Sequence, residues 1–345
     1  MKVGLIGTGA IANKHALAYR NIGFELVACS NKTESRGREF AERWSAEFVP
    51  NTGDLCRYPG LDFVDVCTFP DSHLEPVEIC ASIGRPVQLQ KPIATNLTEA
   101  RRMIDVARKA GIKLCVMSQH RFDDATLFLK RALPAGRLGK LLQADAYVKW
   151  FRSDEYYSRP IKGSWHTEGG GALINQAIHQ VDILLHLMGP VTQVCGVWQL
   201  GARHKIESED VVNGLLSYHS GATGVIQAAT AFWPGYTERI EIHGTKGTAI
   251  ISGDRLTTWD VLDDEEANAA DPAPMDVSTT ASGSSDPMAI SVTTFERQFL
   301  DFAEAIRTGR EPLVNGEEGY RALELVLGVY EACRKGRPVS LHPAI

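Results

Sequence analysis

Asn175, His179, Asp182 and His186 recur at i, i+4, i+7 and i+11, the spacing of a single helical stripe. An amide, an imidazole that titrates near neutrality and a carboxylate on one stripe are groups that orient hydroxyls and accept protons. Nearly every other residue of the segment 173–188 is apolar, including Leu173, Ile174, Ile178, Val181, Leu184 and Leu187. A helix that is apolar all round is buried, and polar groups inside it need partners or a wet cleft. Gly169, Gly170 and Gly171 lead into it and let a loop and a ligand approach its start, while Gly189-Pro190 ends it. Lys91 is the second candidate. It follows a short apolar strand and precedes Pro92, which fixes the chain beside it.

Elements that must position these groups are legible along the first 120 residues. Strands at 2–6, 25–30, 62–68, 86–89 and 113–118 alternate with helices at 10–20, 34–44, 72–83 and 97–110. Alternation of this kind implies right-handed crossovers and a doubly wound parallel sheet. The first βα turn reads Gly7-Thr8-Gly9-Ala10-Ile11-Ala12. Gly7 suits a tight turn, Gly9 lets backbone approach a pyrophosphate, and the helix start attracts negative charge. The turn therefore predicts a dinucleotide site. The second strand ends at Ser30-Asn31-Lys32 with no acid before Glu34. An NAD site usually carries an acid there for the ribose hydroxyls. Asn31, Lys32 and Arg36 instead favour NADP, with NAD as the other cofactor. Two further loops lie at strand C-terminal ends, where ligands bind in such sheets: Thr68 to His73, including Pro70, and Gln90-Lys91-Pro92.

After about residue 121 the texture changes. Segments 141–150, 191–200, 210–217, 224–231, 238–243 and 248–252 read as strands joined by short turns, which favours antiparallel pairing. Residues 294–308 and 317–335 read as amphipathic helices. Residues 263–288 are rich in Asp, Ala, Ser, Pro and Gly and read as a mobile loop. The expected fold class is α/β: a Rossmann domain at 1–120, then an α+β domain at 121–345 with a large, open, mostly antiparallel sheet. The C-terminal helix is expected to pack back towards the N-terminal domain.

Composition closes off several function classes. The chain has 345 residues, 44% of them apolar and 23% charged, and a net charge of −6. With no Lys/Arg run, this excludes a nucleic-acid partner. No apolar run reaches membrane-spanning length, and, with the first strand beginning at Lys2, no signal peptide is expected. Seven scattered cysteines without a CxxC pair point to a cytoplasmic protein with reduced thiols. The His179, Asp182 and His186 spacing would suit a metal, but no second cluster supports one, and none is expected.

These motifs together resemble the Gfo/Idh/MocA oxidoreductases. The resemblance rests on the Gly7 to Ala12 turn, Pro70-Asp71-Ser72-His73, Gln90-Lys91-Pro92, Arg121-Phe122, the segment from Gly169 through Asn175, His179 and Asp182, and the ending 295–341. It implies a lysine, here Lys91, near the nicotinamide and the reacting hydroxyl, with Asn175 and His179 flanking the substrate. It also implies a homodimer or homotetramer built on the open sheet. Gln90 stands where Glu is usual and Asn175 where Asp is common. The expected activity is hydride transfer between NAD(P) and a secondary alcohol or ketone of a sugar, sugar derivative or cyclitol. His179 is the preferred proton acceptor, with Lys91 polarising the oxygen or sharing the proton. Asp182 either orients His179 or serves a structural network, and the structural role is favoured. Arg121, Trp165 and Arg152 or Arg159 are expected to touch substrate, near Tyr156, Tyr157 and Lys162. His15 is expected near the cofactor without a catalytic part. The alternatives are a redox-neutral, NAD-dependent glycosidase and a non-catalytic dinucleotide sensor. The presence of both Lys91 and His179 argues against the sensor.

Overall fold

A computed structural model describes residues 1–159, 161–262 and 291–341. The loop expected at 263–288 lies outside the described residues. The chain divides into two compact units, Met1–Gln119 with Ser291–Tyr320 and His120–Ile290 with Arg321–Ile345. Residues 291–320 thus group with the first unit, where the sequence reading has 121–345 as one domain.

The first unit is a parallel sheet of six strands: β1 (Lys2–Ile6), β2 (Glu25–Ser30), β3 (Glu47–Phe48), β4 (Phe63–Val66), β5 (Val87–Leu89) and β6 (Leu114–Val116). Their order is β3-β2-β1-β4-β5-β6, with every pairing parallel. The order reverses between β1 and β4, the switch point where ligands bind in such sheets. Strands β1, β4 and β5 read as nearly continuous apolar runs because both faces are covered. The connections are α1 (Ala10–Asn21), α2 (Glu34–Trp44), α3 (Thr52–Cys56), α4 (Leu74–Ser82) and α5 (Leu97–Ala110). Helix α5 starts on Asn96, whose side chain accepts from the Glu99 N–H, and stops at Gly111 in the left-handed region.

The second unit opens with α6 (Asp124–Ala132), β7 (Leu141–Lys149), α7 (Asp154–Tyr157) and α8 (Ile178–Met188). Strands β8 (Val191–Leu200), β9 (Glu209–Tyr218), β10 (Thr223–Ala229), β11 (Arg239–Gly244), β12 (Gly247–Ser252) and β13 (Arg255–Val261) follow. Helices α9 (Thr293–Thr308) and α10 (Gly316–Lys335) and strand β14 (Val339–Ser340) complete the chain. The eight-stranded sheet runs β13-β12-β11-β7-β10-β9-β8-β14, antiparallel except where β7 meets β10. Inward and outward residues alternate along β9, as one covered face requires. The later turns of α10 lie on β8 and β9, where the small Gly196 and Gly214 admit Val329.

Helix α9 belongs to the first unit for a packing reason. Phe295 and Phe299 pack against His15 at 5.4 and 5.0 Å, Phe299 meets Tyr19 at 4.4 Å, and Phe302 meets Phe63 at 5.2 Å. The first turn of α10 also joins this unit, with Gly316 over Ile104 and Leu114 and Gly319 over Val116. All seven cysteines are free thiols. Among the described residues, no helix is long and apolar enough to cross a membrane.

Candidate functional site

The dinucleotide-type turn of the first unit is built around Gly7. Its φ is +91°, and a Cβ there would press within 2.9 Å of the Cys67 backbone. Only glycine fits both demands. The Gly7 N–H donates to the Ser30 carbonyl at 2.8 Å, tying the turn to the end of β2. A Cβ on Gly9 would meet nothing within 4 Å, so the start of α1 faces open space. Helix α1 has no side-chain cap and no acid in its first turn. Its orphan N–H groups and dipole therefore present positive potential. The Ser30 and Thr68 hydroxyl oxygens are buried and lack a hydrogen-bond partner among the described residues. Buried polar atoms of this kind ordinarily have partners. Open space at Gly9, an uncapped helix start and two orphaned hydroxyls fit a dinucleotide phosphate and ribose.

Around this turn, Thr8, Ala10, Ile11 and Asn31 are partly or fully exposed, as are Lys32 and Arg36. Asn31 turns its amide to the Thr33 carbonyl at 3.1 Å. Glu34 is drawn to Arg38 at 2.7 Å. Pro70 begins a short turn after Thr68. Lys91 is half-exposed just beyond β5, and its bond to the buried Pro92 is cis. Two further expected cofactor contacts, His73 and Gln90, are buried and hydrogen-bonded within the first unit. His73 is fully buried, with its ring nitrogens 3.0 Å from the Ile93 carbonyl and 3.3 Å from that of Thr68. Burial pushes its pKa down. It holds the loop and presents no edge to a ligand. Gln90 is also buried, and its side chain turns to His15 and to the Lys91 peptide.

In the second unit the glycine-led helix does not start as an α-helix. Leu173–Ala177 form a π-helical turn, and α8 proper begins at Ile178. The wider turn breaks the i, i+4 register between Asn175 and His179, and such turns often mark functional sites. Asn175 Nδ2 donates to Glu168 Oε1 at 2.5 Å, an oxygen that also accepts from Lys162 Nζ at 2.5 Å. Glu168 Oε2 accepts from the Gly163 N–H at 2.8 Å. Gln176 donates to the Tyr156 hydroxyl at 3.2 Å, and Lys162 lies over the Tyr156 ring at 5.0 Å. Burial lowers the Lys162 pKa, but Tyr156 and Glu168 more than offset this and hold it up.

His179 is buried, with its ring edge-on to His120 at 5.1 Å. His120 Nδ1 meets Asp123 Oδ2 at 2.8 Å. Burial alone would lower the pKa of His120; the Asp123 carboxylate, aided by Glu238 and Asp254, raises it overall. His179 therefore packs against a neighbour biased towards positive charge. Asp182 lies one turn on and receives Arg121 through two bonds, Nε to Oδ2 at 2.7 Å and Nη2 to Oδ1 at 2.6 Å. The Arg121 side chain is 1% exposed. Sealed against Asp182, it serves this packing, where a substrate contact was expected. His186 is half-buried, and its carbonyl accepts from Lys130 at 2.6 Å.

The aromatic segment before the glycines divides. Arg152 is buried, with its guanidinium over Trp150 at 4.8 Å and Tyr156 at 5.7 Å, and the exposed Arg159 lies over Tyr156 at 5.4 Å. Trp165 goes elsewhere. It packs on Trp198 and Tyr330 at 5.6 and 5.2 Å, and its indole N–H donates to the Glu207 carbonyl at 3.0 Å. That arrangement is a packed cover and gives no support to a substrate contact. Sequence reasoning passed over Glu168 and His120. The acid seven residues before Asn175 and the histidine beside Arg121 were the available signals.

Glu209, at the start of β9, holds the glycine run. Its carboxylate accepts from the Gly171 and Leu173 N–H groups at 2.8 Å each and from the Tyr330 hydroxyl at 2.7 Å. A Cβ on Gly171 would collide with the Glu209 carbonyl. Burial pushes the Glu209 carboxyl up to about 7, against the lowering effect of Tyr330 and the backbone donors. A carboxyl with a raised folded pKa binds more protons folded than unfolded, so stability falls as pH rises from the unfolded value towards 7. The effect is at most on the order of 3 kcal/mol. Glu209→Gln does not titrate and carries a fixed cost. Its thermal-stability deficit against the unaltered protein is therefore expected to narrow from about pH 5 to about pH 8. A deficit that is constant or widens would contradict this account.

Comparison with known proteins follows the same division. A model described as an oxidoreductase family with an NAD-binding Rossmann fold matches residues 1–118. One described as the GFO/IDH/MocA C-terminal domain matches residues 126–250. Myo-inositol 2-dehydrogenase of Thermotoga maritima is 28% identical over 358 residues, covering 100% of each chain. D-apiose dehydrogenase of Paraburkholderia graminis is 29% identical over 352 residues, 99% of this chain and 89% of the relative. Among solved structures, the WlbA dehydrogenase of Bordetella pertussis in complex with NADH and UDP-GlcNAcA aligns with a TM-score of 0.85 at 27% identity. It covers 99% of this chain and 98% of its own.

Proposed function

The chain belongs to the GFO/IDH/MocA oxidoreductase family, and from that membership we propose that it oxidises a secondary hydroxyl of a sugar, sugar derivative or cyclitol, or reduces the matching ketone. The relatives are an inositol dehydrogenase and an apiose dehydrogenase, which supports a polyhydroxy substrate. When bound, the nicotinamide supplies the hydride acceptor. The chain's own residues handle the proton and the orientation. His179 accepts a hydroxyl proton, Lys91 polarises a substrate oxygen, and Asn175 fixes a hydroxyl through its amide. Arg121 and Asp182 hold α8 and leave the chemistry to these three. The observation that carries the reading is the otherwise apolar, glycine-led helix that bears Asn175 on its π-helical turn, hydrogen-bonded to Glu168, and His179 two residues beyond that turn, edge-on to His120.

NADP is the favoured cofactor, although the WlbA dehydrogenase complex contains NADH. Lys32 and Arg36 are exposed after β2, and no ion pair of either occurs among the described residues, whereas Glu34 is engaged by Arg38. A 2′-phosphate would meet two cations there. Exposed apolar side chains on the open sheet, Val197 at 68% and Leu215 at 60%, support a homo-oligomer. The test is a panel of polyols, aldoses and glycosides with NAD and NADP, followed by nicotinamide absorbance. Net release of reduced cofactor is expected from a polyol or aldose. Glycoside cleavage without it would replace this reading by the redox-neutral one. Arg36→Ala is expected to raise the NADP KM about tenfold, one charge-assisted contact, and to leave the NAD KM unchanged. Equal effects on both would remove the NADP preference.

A further inference from the structure

A continuous chain of buried polar groups runs behind Lys91 in the first unit. Asp65 on β4 lies 2.6 Å from His15 Nδ1 on α1; His15 Nε2 lies 2.8 Å from Gln90 Nε2; and Gln90 Oε1 lies 3.2 Å from the Lys91 peptide nitrogen. His15 and Asp65 are fully buried and Gln90 is 7% exposed. Hydrogen-bond polarity along this chain has one solution. A peptide N–H can only donate, so Gln90 Oε1 must accept from Lys91. The Gln90 amide N–H2 then points at His15, so His15 Nε2 must carry a lone pair. The remaining imidazole proton is on Nδ1, donated to Asp65.

The Asp65 carboxylate has further donors. It also accepts from the Tyr19 hydroxyl at 2.7 Å, from Gln88 at 3.4 Å and from the Cys67 thiol at 3.6 Å. Burial first, then the charge of Asp65, keeps Tyr19 and Cys67 protonated and able to donate. Among the described residues, helix α9 places the Phe295 and Phe299 rings against His15. His15, Asp65 and Cys67 lie close enough together to resemble a cation site. At 2.6 Å, however, a proton fills the gap between the first two.

We propose that Gln90 and His15 are positioning residues: a neutral His15, protonated on Nδ1 towards Asp65, holds the Gln90 amide in the orientation that accepts the Lys91 peptide N–H and so fixes the catalytic lysine. The role rests on the catalytic reading of Lys91. Protonating His15 Nε2 would put two donors face to face, and the amide could turn only by releasing Lys91.

The imidazole nitrogens report this directly. In the full chain labelled with ¹⁵N-histidine, His15 is expected as the neutral Nδ1–H tautomer near neutral pH. In Gln90→Glu, a carboxylate on each side draws a second proton onto the ring, so an imidazolium signal is expected. The introduced carboxylate still accepts from the Lys91 N–H, so Gln90→Glu is expected to lose less kcat than a variant that cannot accept that bond. Gln90→Met removes both bonds and is expected to lower kcat about 10- to 100-fold, the cost of a small displacement of a reacting group, with cofactor affinity unchanged. An imidazolium or an Nε2–H tautomer in the unaltered protein would overturn the inference without any reference to turnover. Gln90→Met at full kcat, with Lys91→Ala inactive, would overturn the positioning role and leave the catalytic reading of Lys91 standing. Full turnover in Lys91→Ala would instead remove that catalytic reading and the positioning role resting on it.

Discussion

Lys91→Ala is expected to lower kcat by about 100- to 10,000-fold, the usual range for losing a group that assists proton transfer, while cofactor affinity stays within experimental scatter. The side chain is half-exposed at the C-terminal end of β5 and closes no core, so its removal should leave the fold intact. The turn that carries it is held from behind by the buried Gln90. Lys91→Arg keeps the charge but offers a fork of different reach that does not release a proton, so it is expected to recover little. His179→Asn keeps a hydrogen-bonding side chain and loses the titration. If His179 takes the proton, this variant loses rate, because an amide cannot serve as the base. Turnover with a polyol substrate and cofactor binding followed by fluorescence check these outcomes together. Undiminished turnover in Lys91→Ala would dismiss the assigned chemistry.

The parallel sheet was legible because its signals are local. The Gly7 turn and the apolar strands each occupy a few consecutive residues, and the alternation of strands with helices implies handed crossovers and a parallel sheet. The open antiparallel sheet was legible from short turns between strands. Strands β3, β13 and β14 and helices α3 and α6 are short or follow other elements closely, and they leave little periodic pattern. At the site, the sequence isolates Asn175, His179 and Lys91 by residue type. It does not show what they touch. A periodic reading assumes regular spacing, so the π-helical turn that separates Asn175 from His179 has no signature. The partners are distant in sequence: Asp65 is 50 residues from His15, and Gln90 is 75. Trp165 shows another limit. Its aromatic face suits a sugar, but Trp198, Tyr330 and the later turns of α10 offer it a packed environment that composition cannot display.

Arg121→Met is expected to destabilise the protein by about 3–5 kcal/mol, because it leaves the Asp182 carboxylate buried without its bidentate cation. The two side chains are 1% and 5% exposed, so water cannot take over the lost bonds. Asp182→Leu alone removes the bidentate acceptor of the buried guanidinium and should cost a similar amount. The double variant Arg121→Met/Asp182→Leu removes both charges and should recover most of the stability, since an apolar pair of similar volume often replaces a buried ion pair at little cost. Denaturant unfolding of the four proteins gives the coupling directly. Activity separates two roles for the pair. Arg121 follows His120 in the chain, and Asp182 lies one turn beyond His179, so this ion pair fixes the segment of one histidine against the helix of the other. If that registration matters, the double variant regains stability but not kcat. Full recovery of both would make Arg121 and Asp182 packing residues only, and a loss below about 1 kcal/mol in Arg121→Met, the range of exposed pairs, would show that the pair does not restrain α8.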